Sequence, residues 1–116
     1  MDLYHVWCDL KPGVSDRLFA DRVGAYLGHL KLEGLIHGFR LTRRKLGLGP
    51  PEVGEFQILI EIENLAQLDD AFIRVAARQD PVEGFHHCVN SLVDNAKFAL
   101  YRDFPDPVRV YGEERF

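Results

Sequence analysis

Histidine is the side chain best suited to proton chemistry near neutrality, and the 116-residue chain has five. Two of them sit in stretches that alternate like β-strands. His5 lies two residues before Trp7, and His37 two before Phe39. In a strand, residues two apart share a face. His5 and Trp7 are therefore predicted to share the face that takes Leu35, His37, Phe39 and Leu41 from the next strand, Gln57, Leu59 and Glu61 from a third, and Ala99 and Tyr101 from a fourth. With a strand spacing of about 4.8 Å, and one strand between the two histidines, their side chains stand about 9–10 Å apart. That is too far to share one metal, although Gln57 or Glu61 could bridge them through water. If the chain is an enzyme, such a face suits proton transfer, with His37 or His5 as base, Tyr101 as donor and Glu61 tuning the imidazole. The same residues also fit a second reading, in which the histidines only hydrogen-bond across a subunit interface.

The other candidates are weaker. His86-His87-Cys88 looks like a ligand cluster, but neighbours on a helix diverge by about 100° and cannot chelate one ion. Zinc sites on helices need ligands three or four residues apart, so no metal site is predicted. His86 can still face inward beside Phe85 or Val89 and reach a ligand cavity. His29 suits the C-terminal end of a helix. Arg43-Arg44-Lys45 reads as a solvated loop cluster, and Gly47-Leu48-Gly49-Pro50-Pro51 lacks the pattern and the amide donors of a phosphate cradle. Neither G-x-S-x-G nor H-E-x-x-H occurs. Tyr4 and Tyr26 are expected in the core with their hydroxyls partnered. Cys8 and Cys88 are expected as buried, reduced thiols.

These residues need elements to position them. Leu3 to Leu10 reads as a strand ending at Lys11-Pro12-Gly13. Ser15 can cap a helix whose stripe is Leu18, Phe19, Val23, Tyr26, Leu27 and Leu30, closed by Gly34. Leu35 to Arg43 returns to period two. After a Gly/Pro loop, Phe56, Ile58, Ile60 and Ile62 form the core face of a third strand. Asn64 and Gln67 have the spacing of a capping box for a helix with Leu65, Leu68, Phe72, Val75 and Ala76 inward. Asp80-Pro81 interrupts it, and a short helix follows with Phe85, Val89, Leu92 and Val93 inward. Ala96 to Phe104 is the last strand. The order βαββ(αα)β predicts an α+β, ferredoxin-like fold: a four-stranded antiparallel sheet in the order 4-1-3-2 with all helices on one face. Residues 1–104 form this domain, and residues 105–116 a tail that is extended or docked.

Composition narrows the function. One domain is all that 116 residues provide, and the apolar fraction of 47% is globular. A formal net charge of −4 argues against a nucleic-acid binder, and no apolar run approaches the length that spans a bilayer. No membrane partner is expected, and the opening Met1-Asp2-Leu3-Tyr4-His5, without a basic or apolar leader, predicts a cytoplasmic location. The uncovered sheet face is too rich in aromatic and aliphatic groups to stay in water, since each large side chain left exposed forgoes roughly 1.5–3 kcal/mol of burial. A homodimer pairing two such faces is the simplest closure.

The element order, the run Lys11-Pro12-Gly13-Val14-Ser15-Asp16 leading into the first helix, and a second strand around Gly34 to Arg40 resemble the dimeric α/β-barrel superfamily. That group includes stress-responsive barrel proteins, antibiotic-biosynthesis-type monooxygenases and NIPSNAP-like proteins. The resemblance implies a homodimer with a cavity within the barrel or between sheet and helices. It carries no catalytic residue over to this chain. The function expected is binding of a small, partly apolar organic molecule in a polar-lined cavity that includes Trp7, Phe39, Gln57, Leu59, Glu61 and His86, without a cofactor, and, if the chain is an enzyme, with proton transfer or the cofactor-free oxygen chemistry that the resemblance implies. The alternative is a non-catalytic stress-related or assembly module whose open face serves only dimerisation. A third reading has a lone histidine holding haem or a metal.

Overall fold

A computed structural model of the chain describes residues Met1–Pro105. The tail predicted for residues 105–116 therefore lies outside the described residues, apart from Pro105. The elements are β1 (Asp2–Leu10), α1 (Asp16–Leu32), β2 (Gly38–Arg43), β3 (Phe56–Ile62), α2 (Leu65–Ala76), α3 (Val82–Asn90) and β4 (Val93–Arg102). The sheet has four strands in the order β2-β3-β1-β4, and every pairing is antiparallel. This is the ferredoxin-like arrangement predicted from the element order.

Local chemistry explains the element ends. The Ser15 side chain accepts from the Leu18 amide at the start of α1, where Asp16 also favours the helix dipole. At its other end Gly34 takes a φ of +75°, which costs glycine little. Its amide donates to the Lys31 carbonyl and the Leu35 amide to that of Leu30, a Schellman closure. The Asn64 side chain caps α2 by accepting from the Gln67 amide at 2.9 Å. Gln67 then accepts from the Glu63 amide, one residue before the cap, and donates to the Gly34 carbonyl. One glutamine thus ties the end of α1 to the start of α2.

The core lies between the helices and one face of the sheet. Phe19, Val23, Leu27 and Leu30 of α1 are buried there with Cys8, Phe56, Ile58 and Ile62. Two inward stripes differ from expectation. Leu65, Phe72 and Ala76 of α2 are exposed, while Leu68 and Ala71 are buried. In α3, Val82 is fully buried beside the predicted Val89. Among the described residues the helices cover β1, β2 and β3 but leave part of the same side of β4 bare, so Phe98 and Leu100 remain half or more exposed.

β2 corrects the predicted facing. It starts at Gly38 rather than Leu35, and it sets Phe39 opposite Ile60 and Leu41 opposite Ile58. Phe39 and Leu41 therefore join the core side, and Leu35 also packs against the core. Gly38, Arg40 and Thr42, opposite Glu61, Leu59 and Gln57, line the uncovered face. Phe39 and Leu41 are the only large apolar side chains of this strand. Helices cover one face of the sheet, and that face claims them.

The long β2–β3 connection is held in place rather than loose. Arg44 donates to the carbonyls of Pro50 and Val53, Lys97 of β4 donates to the Glu52 carbonyl, and the Glu55 amide donates to Asp9. Arg43 pairs with Asp16 and Glu55 and lies over the Phe56 ring. Arg43 and Arg44 of the basic run thus hold this connection in place.

Candidate functional site

The predicted site residues divide between two faces of the sheet. On the uncovered face the register brings together His5, Trp7, Gln57, Leu59, Glu61, Ala99 and Tyr101, as the alternation predicts. His5 is their centre. Its ring stacks on Trp7 at 5.5 Å between centroids and meets Tyr101 edge-on at 4.9 Å. Nδ1 accepts from Gln57 Nε2 at 2.8 Å, and Thr42 Oγ1 donates to Gln57 Oε1 at 3.4 Å. The same hydroxyl is also 3.3 Å from the Gln57 main-chain carbonyl, and the Gln57 amide makes His5 the neutral tautomer with its proton on Nε2. That Nε2 is buried and has no partner among the described residues. Burial holds the pKa of His5 below its ordinary value. The Glu61 carboxylate leans over Gly38, 3.5 Å from where a Cβ would stand.

His37 does not join this group. It precedes β2 at the edge of the sheet, half exposed, with its amide donating to the Glu61 carbonyl and Nδ1 3.4 Å from Glu63. The slip in β2 facing that moves Phe39 to the core also removes the predicted His5–His37 pair. Of the residues predicted as acid and base, His5 and Tyr101 share the uncovered face and His37 does not. Tyr101 is 59% exposed in the single chain.

The other face holds a cavity of about 220 Å³ between β1, β3, β4 and the three helices. Its wall is largely aliphatic, with Val23, Leu27, Ile58, Ile60 and Ala71 among its residues. The polar groups on it come from Tyr4, Tyr26, His86 and Asn90. His86 is the one predicted site residue that reaches it, edge-on to Tyr26 at 5.8 Å. His87, its neighbour, is exposed, as the divergence of adjacent helical side chains requires. No group of three His, Cys, Asp or Glu converges on one point among the described residues.

The tyrosines are what the sequence reading misses. Tyr4 and Tyr26 do border the core, but neither hydroxyl has a hydrogen-bond partner among the described residues. Burial raises both pKa values, and that of Tyr26 is pushed up to about 12 by burial and then by Glu83 and Tyr4. Both are held as neutral phenols. Tyr4 also packs edge-on against Phe72 at 5.5 Å and stacks on Phe98 at 6.1 Å, so these three rings frame the side of the cavity that β4 leaves uncovered. A signal for this was present: Tyr4 precedes His5 by one, so it must face the helices if His5 faces away.

A family described as a family of unknown function (DUF6614) has a model that matches residues 1–116. No curated protein sequence matches the chain significantly. Among solved structures, an Arabidopsis thaliana protein is similar at TM-score 0.70 and 14% identity, over 95% of this chain and 100% of its own. A dimeric ferredoxin-like protein of unknown function from Jannaschia sp. CCS1 is similar at TM-score 0.64 and 16% identity, covering 89% of this chain and 100% of that one. An antibiotic biosynthesis monooxygenase matches at TM-score 0.60 and 16% identity, with 90% and 100% covered. At such identities the likeness is one of fold, and it agrees with the resemblance drawn from the element order. No helix among the described residues is long and apolar enough to cross a membrane.

Proposed function

Since the chain belongs to DUF6614, a family of unknown function, its activity has to be read from geometry, and we propose that it is a homodimeric binding protein for a small, mostly apolar organic molecule. The observation that carries this is the 220 Å³ cavity between sheet and helices. Well-packed interiors leave few voids larger than a water molecule. A concave apolar space with a few convergent polar groups is the usual form of a small-molecule site.

The uncovered face supports the dimer. Leu3, Trp7, Leu59 and Tyr101 lie there around His5, and an apolar surface of this kind marks an interface. The face also carries both signs of charge: Arg40 and Lys97 stand on it with Asp9, Glu61 and Asp94. A two-fold pair of such faces can set each copy's basic groups against the other's acidic ones. The similar Jannaschia protein is itself described as dimeric.

A second reading rests on the orphaned Nε2 of His5. Pairing two uncovered faces encloses that donor with Trp7 and Tyr101 between the sheets, where it serves proton transfer or meets an acceptor from the partner subunit.

The binding reading is tested with tetralin, a bicyclic hydrocarbon. Ligand-observed NMR is expected to show it bound to the native protein. Ala71→Phe fills the cavity from α2 and is expected to weaken that binding at least about tenfold, which is about 1.4 kcal/mol, while the circular dichroism spectrum is kept. Equal binding to the folded variant overturns the assignment of the cavity.

A further inference from the structure

The cavity also has a chemical preference, and this inference rests on its being the binding site. We infer that its ligand is a neutral molecule of about ten heavy atoms bearing a carbonyl-type oxygen, which the Tyr4 and Tyr26 hydroxyls receive.

Size comes first. An apolar cavity of about 150 Å³ takes a benzene ring, so a space of about 220 Å³ suits one fused bicycle and little more. Charge comes second. Among the described residues no lysine, arginine, aspartate or glutamate lines the cavity. An anion or cation there would lose its hydration with no fixed counter-charge beyond the titratable His86, a cost its apolar contacts do not return. Glu83 lies near enough to Tyr26 to hold its proton more firmly, and so disfavours a carboxylate further.

Hydrogen bonding comes third. The hydroxyls of Tyr4 and Tyr26 have no hydrogen-bond partner among the described residues, and neither is closed off completely, so both are open to an incoming ligand. One hangs from β1 and the other from α1, and both line the same space. As protonated phenols both are donors. Two hydroxyl donors on one wall suit an oxygen with two lone pairs, as in a ketone, aldehyde or quinone. His86, edge-on to the Tyr26 ring, fixes that ring from α3. The three rings Tyr4, Phe72 and Phe98 stand where a flat ligand would enter.

The test uses tetralin, α-tetralone and α-naphthoate, which share the bicyclic skeleton and differ in the oxygen group. Dissociation constants are measured for the native protein, Tyr26→Phe, Tyr4→Phe and the double variant, each of which keeps its ring packing. Native protein is expected to bind α-tetralone at least about tenfold more tightly than α-naphthoate. The double variant is expected to weaken α-tetralone about five- to tenfold and to leave tetralin unchanged or tighter. If tetralin binds but α-tetralone is indifferent to both substitutions, or α-naphthoate binds as well as the ketone, the preference is overturned and the cavity assignment stands. If no probe binds, or Ala71→Phe binds them all as native protein does, the cavity assignment fails and the preference with it.

Discussion

The Nε2 of Gln57 donates to Nδ1 of His5 at 2.8 Å across the β1–β3 pair. The bond forces the imidazole proton onto Nε2 and leaves that atom buried without an acceptor. The ring is thereby held neutral, and its pKa lies below the ordinary 6.5 because burial disfavours the charged form.

This has a consequence for acid stability. Between the lowered folded pKa and 6.5 the unfolded chain binds a proton at His5 that the folded chain does not. Stability is then complete above pH 6.5 and falls as pH drops through that window, flattening once the folded ring protonates too. Urea unfolding at fixed protein concentration, from pH 7.5 to 5, is expected to show a steeper loss for the native protein than for His5→Asn. Identical slopes would remove His5 as the source.

A dimer predicts that one charge on the uncovered face separates it. Leu59 sits at its centre on β3, opposite His5. Light scattering is expected to give twice the chain mass for the native protein. Leu59→Arg is expected to give a folded monomer, because two arginines would meet near the two-fold axis. A native protein that stays monomeric at tens of micromolar concentrations sinks the dimer.

Gly54 lies against the backbone of β1. A Cβ there would stand 2.3 Å from the carbonyl carbon and oxygen of Cys8, which belong to β1 itself, so neither side can yield cheaply. Gly54→Ala is expected to cost about 2–3 kcal/mol in denaturant unfolding. Gly24→Ala and Gly28→Ala, in α1 with nothing within 4 Å, are expected to stabilise by about 0.5–1 kcal/mol each. A neutral Gly54→Ala would mean that the β2–β3 loop does not lie against β1.

The two cysteines should differ in reactivity. Cys8 is 2% exposed, and burial followed by Asp9 pushes its thiol up to about 11. Cys88 is only partly covered. Iodoacetamide at pH 8 is expected to modify Cys88 in the native protein, with Cys8 reacting only after unfolding, as peptide mapping would read. Early labelling of Cys8 would contradict its place under the helices.

The elements themselves were legible because their signals are local. Ser15, Asn64 with Gln67, and Gly34 each act within a few residues of the helix end they stop or start, and the alternation of Phe56 to Ile62 needs no partner to be read. The facing of His5, Trp7, Gln57, Glu61 and Tyr101 followed from that alternation. β2 did not follow, since its two faces could be told apart only by knowing which side the helices cover. Phe39 and Leu41 went to the covered side, and the supposed His5–His37 pair went with them.

From its residues alone this chain determines its strands, its helices and their order, because periodicity and capping are decided between near neighbours. The site was decided at longer range. Tyr4 and Tyr26 are 22 positions apart, and only the packing of α1 on the sheet brings their hydroxyls to one cavity with His86 of α3. An empty space is a property of how surfaces fail to meet, and no pattern along a single chain records that.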